Sequence, residues 1–161
     1  MAERINPRPL TQSALHRQLF LLQNQQSGTS GDLAALQEQV DNLHTEEVTA
    51  DESLTAGQIV RKTGATTVAL ARANTITNAA AIGAATANIS MSATGRIKFL
   101  GEVSRPGWGL TPGAVYYLSA TTPGEIVAVP NASSAGEVVI IVGRAKTATT
   151  LIVDIEIAVL L

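Results

Sequence analysis

The sequence predicts a mainly β protein: an N-terminal α-helical stem, then a small β-barrel or β-sandwich built from two similar halves. Three observations carry this expectation. Apolar residues recur at heptad spacing between Leu15 and Leu43. After Asp51, Thr, Val, Ile, Ala and Gly dominate, with turn signals at short intervals. A Leu-Thr-x-Gly motif occurs twice, ending at Gly57 and at Gly113.

Bulk composition narrows the function classes. Of 161 residues 45% are apolar but only 3% aromatic, so the core must be built from Ala, Val, Ile and Leu and will be thin. A small, thin domain gains from neighbouring chains. Residues 1–50 carry six acids and three bases, and residues 51–161 carry seven acids and eight bases. Neither part has the basic patch that nucleic acid attracts. There is no cysteine, hence no disulfide framework and no thiolate metal site. MAERINPRPLTQ lacks an apolar signal core, and no apolar run is long enough to span a membrane.

Pro7 and Pro9 make residues 1–9 an extended arm, either docked or disordered. Leu15, Leu19 and Leu22 then follow a 4–3 spacing, and Leu33, Leu36, Val40 and Leu43 a 3–4–3 spacing. The two runs share one register across the break QSGTSGD. Gly28 and Gly31 oppose a continuous helix there, at roughly 1 kcal/mol each relative to Ala. Thr29 is a good N-cap. Two helices are expected, about 10–26 and 30–45, stacked or folded back. Two or so heptads per segment are marginal alone, so the seven apolar residues are read as an oligomer interface, in a coiled coil or bundle.

The stem and arm are assigned to residues 1–50 and the β-domain to 51–161. Expected strands cover 58–62, 66–72, 79–85, 96–103, 114–119, 125–129, 137–146 and 150–159. Thr63-Gly64, Thr94-Gly95, Pro106-Gly107, Pro123-Gly124 and Ala135-Gly136 mark turns between them. LIVDIEIAVLL, with Asp154 and Glu156 at period two, reads as a half-buried strand.

The internal repeat covers about 54–103 and 110–159. LTAGQIV at 54–60 matches LTPGAV at 110–115, and the Gly83 segment matches the Gly143 segment. Gly57 and Gly113 suit turns that need positive φ. Gly83 and Gly143, inside strand patterns, indicate bulges or close backbone approach. Two such units are expected to close on each other as a barrel or sandwich.

Four segments carry a family likeness: SLTAGQIVRKTG at 53–64, FLGEV at 99–103, GLTPGAVYYLSATTPGEI at 109–126 and VGRAKTATTLIVDI at 142–155. Together they resemble a module of tailed-bacteriophage structural proteins, found in head fibres, capsid-decorating proteins and tail-fibre segments. The resemblance covers about two thirds of the chain and leaves out the stem. It implies a virion component made in the bacterial cytoplasm, usually trimeric and without catalysis.

Chemistry-bearing constellations are sparse. Nucleophilic catalysis needs a nucleophile beside a base, and the two histidines, His16 and His44, both lie in the stem. They read as flanking polar residues at the helix interface. The acids Glu46, Glu47, Asp51 and Glu52 read as a solvated linker rather than a metal site. Asp154 and Glu156 lie about 7 Å apart on one strand face. They lack the aromatic platform of a glycosidase, and Arg144 or Lys146 is expected to pair with them. No phosphate-binding glycine motif is present. Trp108, between Gly107 and Gly109, either caps its own core or anchors a partner, as does Tyr117 if it points outward.

The expected function is therefore structural, with no cofactor, no metal and no small-molecule substrate. The leading expectation is a homotrimeric capsid decoration or head-fibre protein bound to the major capsid protein or another virion protein. The alternatives are a tail-fibre or baseplate accessory protein and a host-surface carbohydrate or receptor module.

Overall fold

The computed structural model describes residues 31–36, 38–40 and 44–160. The chain divides into two units, Met1–Asp41 and Asn42–Leu161. In the first, the backbone is helical over 31–36 and 38–40. The predicted helix over 10–26 lies outside the described residues.

Among the described residues the second unit has ten strands. They are β1 Thr45–Ala50, β2 Ile59–Lys62, β3 Thr67–Leu70, β4 Ala81–Ala85, β5 Thr94–Lys98, β6 Leu100–Ser104, β7 Val115–Leu118, β8 Ile126–Val127, β9 Val138–Ala145 and β10 Thr150–Leu160. The first five form a closed barrel in the order β1-β3-β2-β4-β5, and the last five an open sheet in the order β6-β10-β9-β7-β8. The protein is mainly β, as its sequence predicts.

The strand neighbours of the sheet repeat those of the barrel. β6–β10, β10–β9, β9–β7 and β7–β8 pair antiparallel, as do β1–β5, β5–β4, β4–β2 and β2–β3. Gly57 has φ +81° and Gly113 has φ +82°. Their N–H groups donate to the carbonyls of Ala85 and Ala145, each at 2.8 Å. Gly83 opposes Val60, Gly143 opposes Tyr116, and the register shifts immediately afterwards in both pairs. A Cβ on Gly83 would lie 2.6 Å from the Lys98 carbonyl oxygen, and one on Gly143 would lie 2.0 Å from that of Ile152. The two glycines thus let neighbouring backbones approach where a bulge disturbs the ladder.

One pairing has no counterpart. β1 and β3 run parallel and close the barrel, with the Thr49 N–H donating to Thr66 O at 2.8 Å. Lys98 opposes Thr45 and Ala84, whereas Ile152 opposes Glu102 and Arg144. Counting on from Thr45 and Glu102, Pro106 stands in the place of Thr49. Proline has no N–H to make the closing bond. The expectation that the two halves close on each other is corrected accordingly: the first half closes alone.

The barrel interior holds Val48, Leu54, Val60, Val68, Ala85, Ile89 and Ile97. A second core joins Leu118, Ile140, Val142, Leu151 and Val153 of the sheet to Ile59, Ala71, Ala73 and Ala84. Ile59 and Val60 are adjacent on β2, so their side chains take opposite faces and serve different cores. Ala84 on β4, with Ala71 and Ala73 just after β3, lines the barrel side of this core with small side chains. One face of the open sheet packs against the outside of the barrel.

Two further expectations are corrected. The acidic run is not a linker: Thr45–Ala50 is a strand, because Val48 and Ala50 alternate inward and are fully buried while Glu47 points to solvent. The helix predicted to reach residue 45 therefore stops short of it. Residues 96–103 are two strands rather than one, divided at Phe99, where the chain passes from barrel to sheet.

Candidate functional site

The residues proposed from sequence for the stem interface fall into two groups. Leu15, Leu19, Leu22 and Leu43 lie outside the described residues, as does His16. Leu33, Leu36 and Val40 are 67%, 57% and 50% exposed. Their 3–4 spacing puts them on one side of the helix. The row is an exposed aliphatic stripe of the helix.

Trp108 is half-buried and packs against the sheet core. Its ring carbons Cη2 and Cζ2 lie over the bare Cα of Gly57, both 3.1 Å from where a Cβ would stand. The indole thus clasps the turn that leads into β2. Beside it, Arg105 Nη1 donates to both carboxylate oxygens of Glu125, at 3.0 and 2.9 Å, and Gln58 Nε2 donates to Glu125 Oε1 at 3.3 Å. Trp108 and this cluster stitch barrel to sheet. The sequence flagged Trp108, but Arg105 and Glu125 are far apart in the chain and carry no spacing signal.

The tyrosines divide as their alternation requires. Tyr116 is buried, and its hydroxyl oxygen accepts the Thr111 N–H at 2.9 Å. Tyr117 is half-buried on the opposite face, across from Val127 and Ile141.

The acidic groups have local partners. Glu46 pairs with Lys62, Asp51 accepts the Thr63 hydroxyl, and Glu52 accepts the Leu70 N–H at 2.9 Å. The cations expected beside Asp154 and Glu156 are engaged elsewhere: Lys146 pairs with Glu102, and Arg144 donates to Gly113 O. Asp154 opposes Leu100 and Glu156 opposes Ile141. Among the described residues, no three His, Cys, Asp or Glu side chains gather as a metal site. The loop before β9 folds over Glu137, whose carboxylate accepts the N–H groups of Ser133 and Ser134. Those two bonds, Ser133 first, hold this carboxyl below its ordinary range, with a smaller contribution from Arg72.

Among the described residues, large exposed apolar side chains occur on the helix row, around Phe99 and Leu100, and singly at Ile76, Met91 and Val129; those around Phe99 are not anticipated from sequence. None of the described helices is long and apolar enough to cross a membrane. No protein-family model matches the chain, and no curated protein matches it by sequence.

Proposed function

We propose that this chain is a bacteriophage virion structural protein, a homotrimeric capsid decoration or head-fibre protein that binds and stabilises the shell. The observation that carries the reading is the exposed row Leu33, Leu36 and Val40. A single chain leaves this row in water, and copies of itself are the natural cover for a heptad-spaced face. The resemblance of the β-domain to phage structural modules supplies the particle context. A closed barrel braced by a second sheet suits a component that must persist on a particle surface. Many weak contacts from several copies would add through multivalency.

Sedimentation of the full chain tests the association directly, with a trimer at micromolar concentration as the expected result. Leu36→Asp should shift it to monomer without changing the Trp108 fluorescence of the β-unit. A monomeric wild type would sink the reading. Binding to the shell is then tested by cryo-microscopy of particles, where density confined to the tail would exclude decoration.

A further inference from the structure

The chain passes from barrel to sheet once, at Phe99, the one residue between β5 and β6. Among the described residues, everything else that joins the two halves is non-covalent. Gly124 O accepts the Ile59 N–H at 2.9 Å, and Ala71 O accepts the Gly124 N–H at 2.7 Å. Ser119 O accepts the Ala73 N–H at 2.9 Å, and Ala73 O accepts the Val138 N–H at 3.0 Å. Arg72 Nε donates to Ala120 O at 3.0 Å. Beneath these bonds, Ile59, Ala71 and Ala84 of the barrel half share one core with Leu118, Val142 and Leu151 of the sheet half.

The connection itself has the sequence of a strand. Residues 94–104, TGRIKFLGEVS, contain no proline, and strands run up to Phe99 and away from it. The path is bent at Gly101, whose φ of +104° favours glycine and is not needed by an extended strand. A Cβ there would meet nothing closer than Lys98 Cδ, at 3.9 Å. The course of the chain, and not crowding, therefore calls for glycine at this position.

We propose that copies of this chain exchange halves, the sheet of one seating on the barrel of another, with Phe99 as the hinge. Each exchanged contact is one that the closed chain already makes, so the core and its hydrogen bonds fit without any new surface. Closure is favoured by the high effective concentration of a half tied to its own barrel. Exchange is favoured by release of the bend at Gly101, since a short hinge under strain invites it. Neither half holds a complete interior, so a chain opened at Phe99 has to be covered again. The barrel wall of a second copy is the surface shaped to do that. This exchange goes beyond the association of the stem and does not depend on it.

Gln58 and Glu125 mark the seam, with Nε2 and Oε1 3.3 Å apart, and the chain has no cysteine of its own. The test uses the full chain carrying Leu36→Asp, so that the stem contributes nothing, together with Gln58→Cys and Glu125→Cys. It is unfolded, refolded and bridged with a short bismaleimide. Refolded at low micromolar concentration, it should run as a monomer on a denaturing gel. Refolded near millimolar concentration, it should run as covalent dimers and closed rings. Gly101→Val strains only the bent path and should raise the exchanged fraction about tenfold. A Gly-Ser-Gly insertion after Phe99 relaxes that path and should lower it. Leu36→Asp without added cysteines, refolded in the same way, should sediment as a mixture whose oligomer persists after dilution, because return requires the core to open. Bridging within single chains at both concentrations, with no such oligomer, overturns the exchange and leaves the stem reading standing. A wild type that is monomeric at micromolar concentration overturns the stem reading alone.

Discussion

The indole of Trp108 lies on the bare backbone of Gly57, while the matching glycine of the second half, Gly113, has open space where its Cβ would be. Both have positive φ, so alanine should cost about 1–2 kcal/mol at either site from backbone strain. At Gly57 the methyl must also displace the ring. Gly57→Ala should therefore destabilise more than Gly113→Ala and should alone alter the emission of the single tryptophan. Urea titration followed by Trp108 fluorescence checks both outcomes.

Gly143→Ala should be the most damaging single methyl addition in the sheet. Its Cβ would fall on the Ile152 carbonyl, which is backbone and cannot rotate away. The expected loss is at or beyond the upper end of the ~1–3 kcal/mol typical of overpacking. Gly83→Ala, which meets the Lys98 carbonyl, should behave in the same way within the barrel. Thermal unfolding of the two variants against Gly113→Ala gives the comparison.

Arg105→Ala should cost about 1–2 kcal/mol, because the pair with Glu125 is partly shielded and chelates both carboxylate oxygens. A lone surface pair would contribute less than 1 kcal/mol. The loss should change little between low and moderate salt. Denaturant midpoints at two ionic strengths measure it.

The Glu137 carboxyl is held low in the folded state by the Ser133 and Ser134 N–H groups. A lowered folded value means that its stabilisation is present above the ordinary carboxylate range. It is lost as pH falls through the lowered value. The loop should therefore loosen in acid. With a protease active over the whole range and each rate divided by that of an unstructured peptide at the same pH, Glu137→Gln should flatten the rise of loop cleavage in acid and leave neutral-pH cleavage faster than in wild type.

Val138–Ala145, a long apolar run rich in β-branched residues, and the last strand, with Asp154 and Glu156 at period two, are legible in the sequence to within a residue or two. The bulges were legible too, because Gly83 and Gly143 interrupt otherwise apolar runs. β1 was hidden: its two inward residues, Val48 and Ala50, are outnumbered by glutamates and threonines, and heptad-spaced leucines precede it. The division at Phe99 was hidden because an apolar residue between two strands looks like a continuation of both. Trp108 stood out by its rarity, but its contact with Gly57 is set by tertiary folding and leaves no local trace. The Phe99–Leu100 patch depends on which residues remain exposed, which only the fold decides.

Because the sheet packs on the barrel's outer wall, neither half can stand alone. A chain cut at Phe99 would leave Ile59, Ala71 and Ala84 facing water on one fragment and an uncovered apolar sheet face on the other. Neither fragment would hold a complete interior. The open second sheet shares its interior with the barrel, so two copies of one topology depend on a common core. Loss of either half is then felt at once by the other, and the duplication offers no spare.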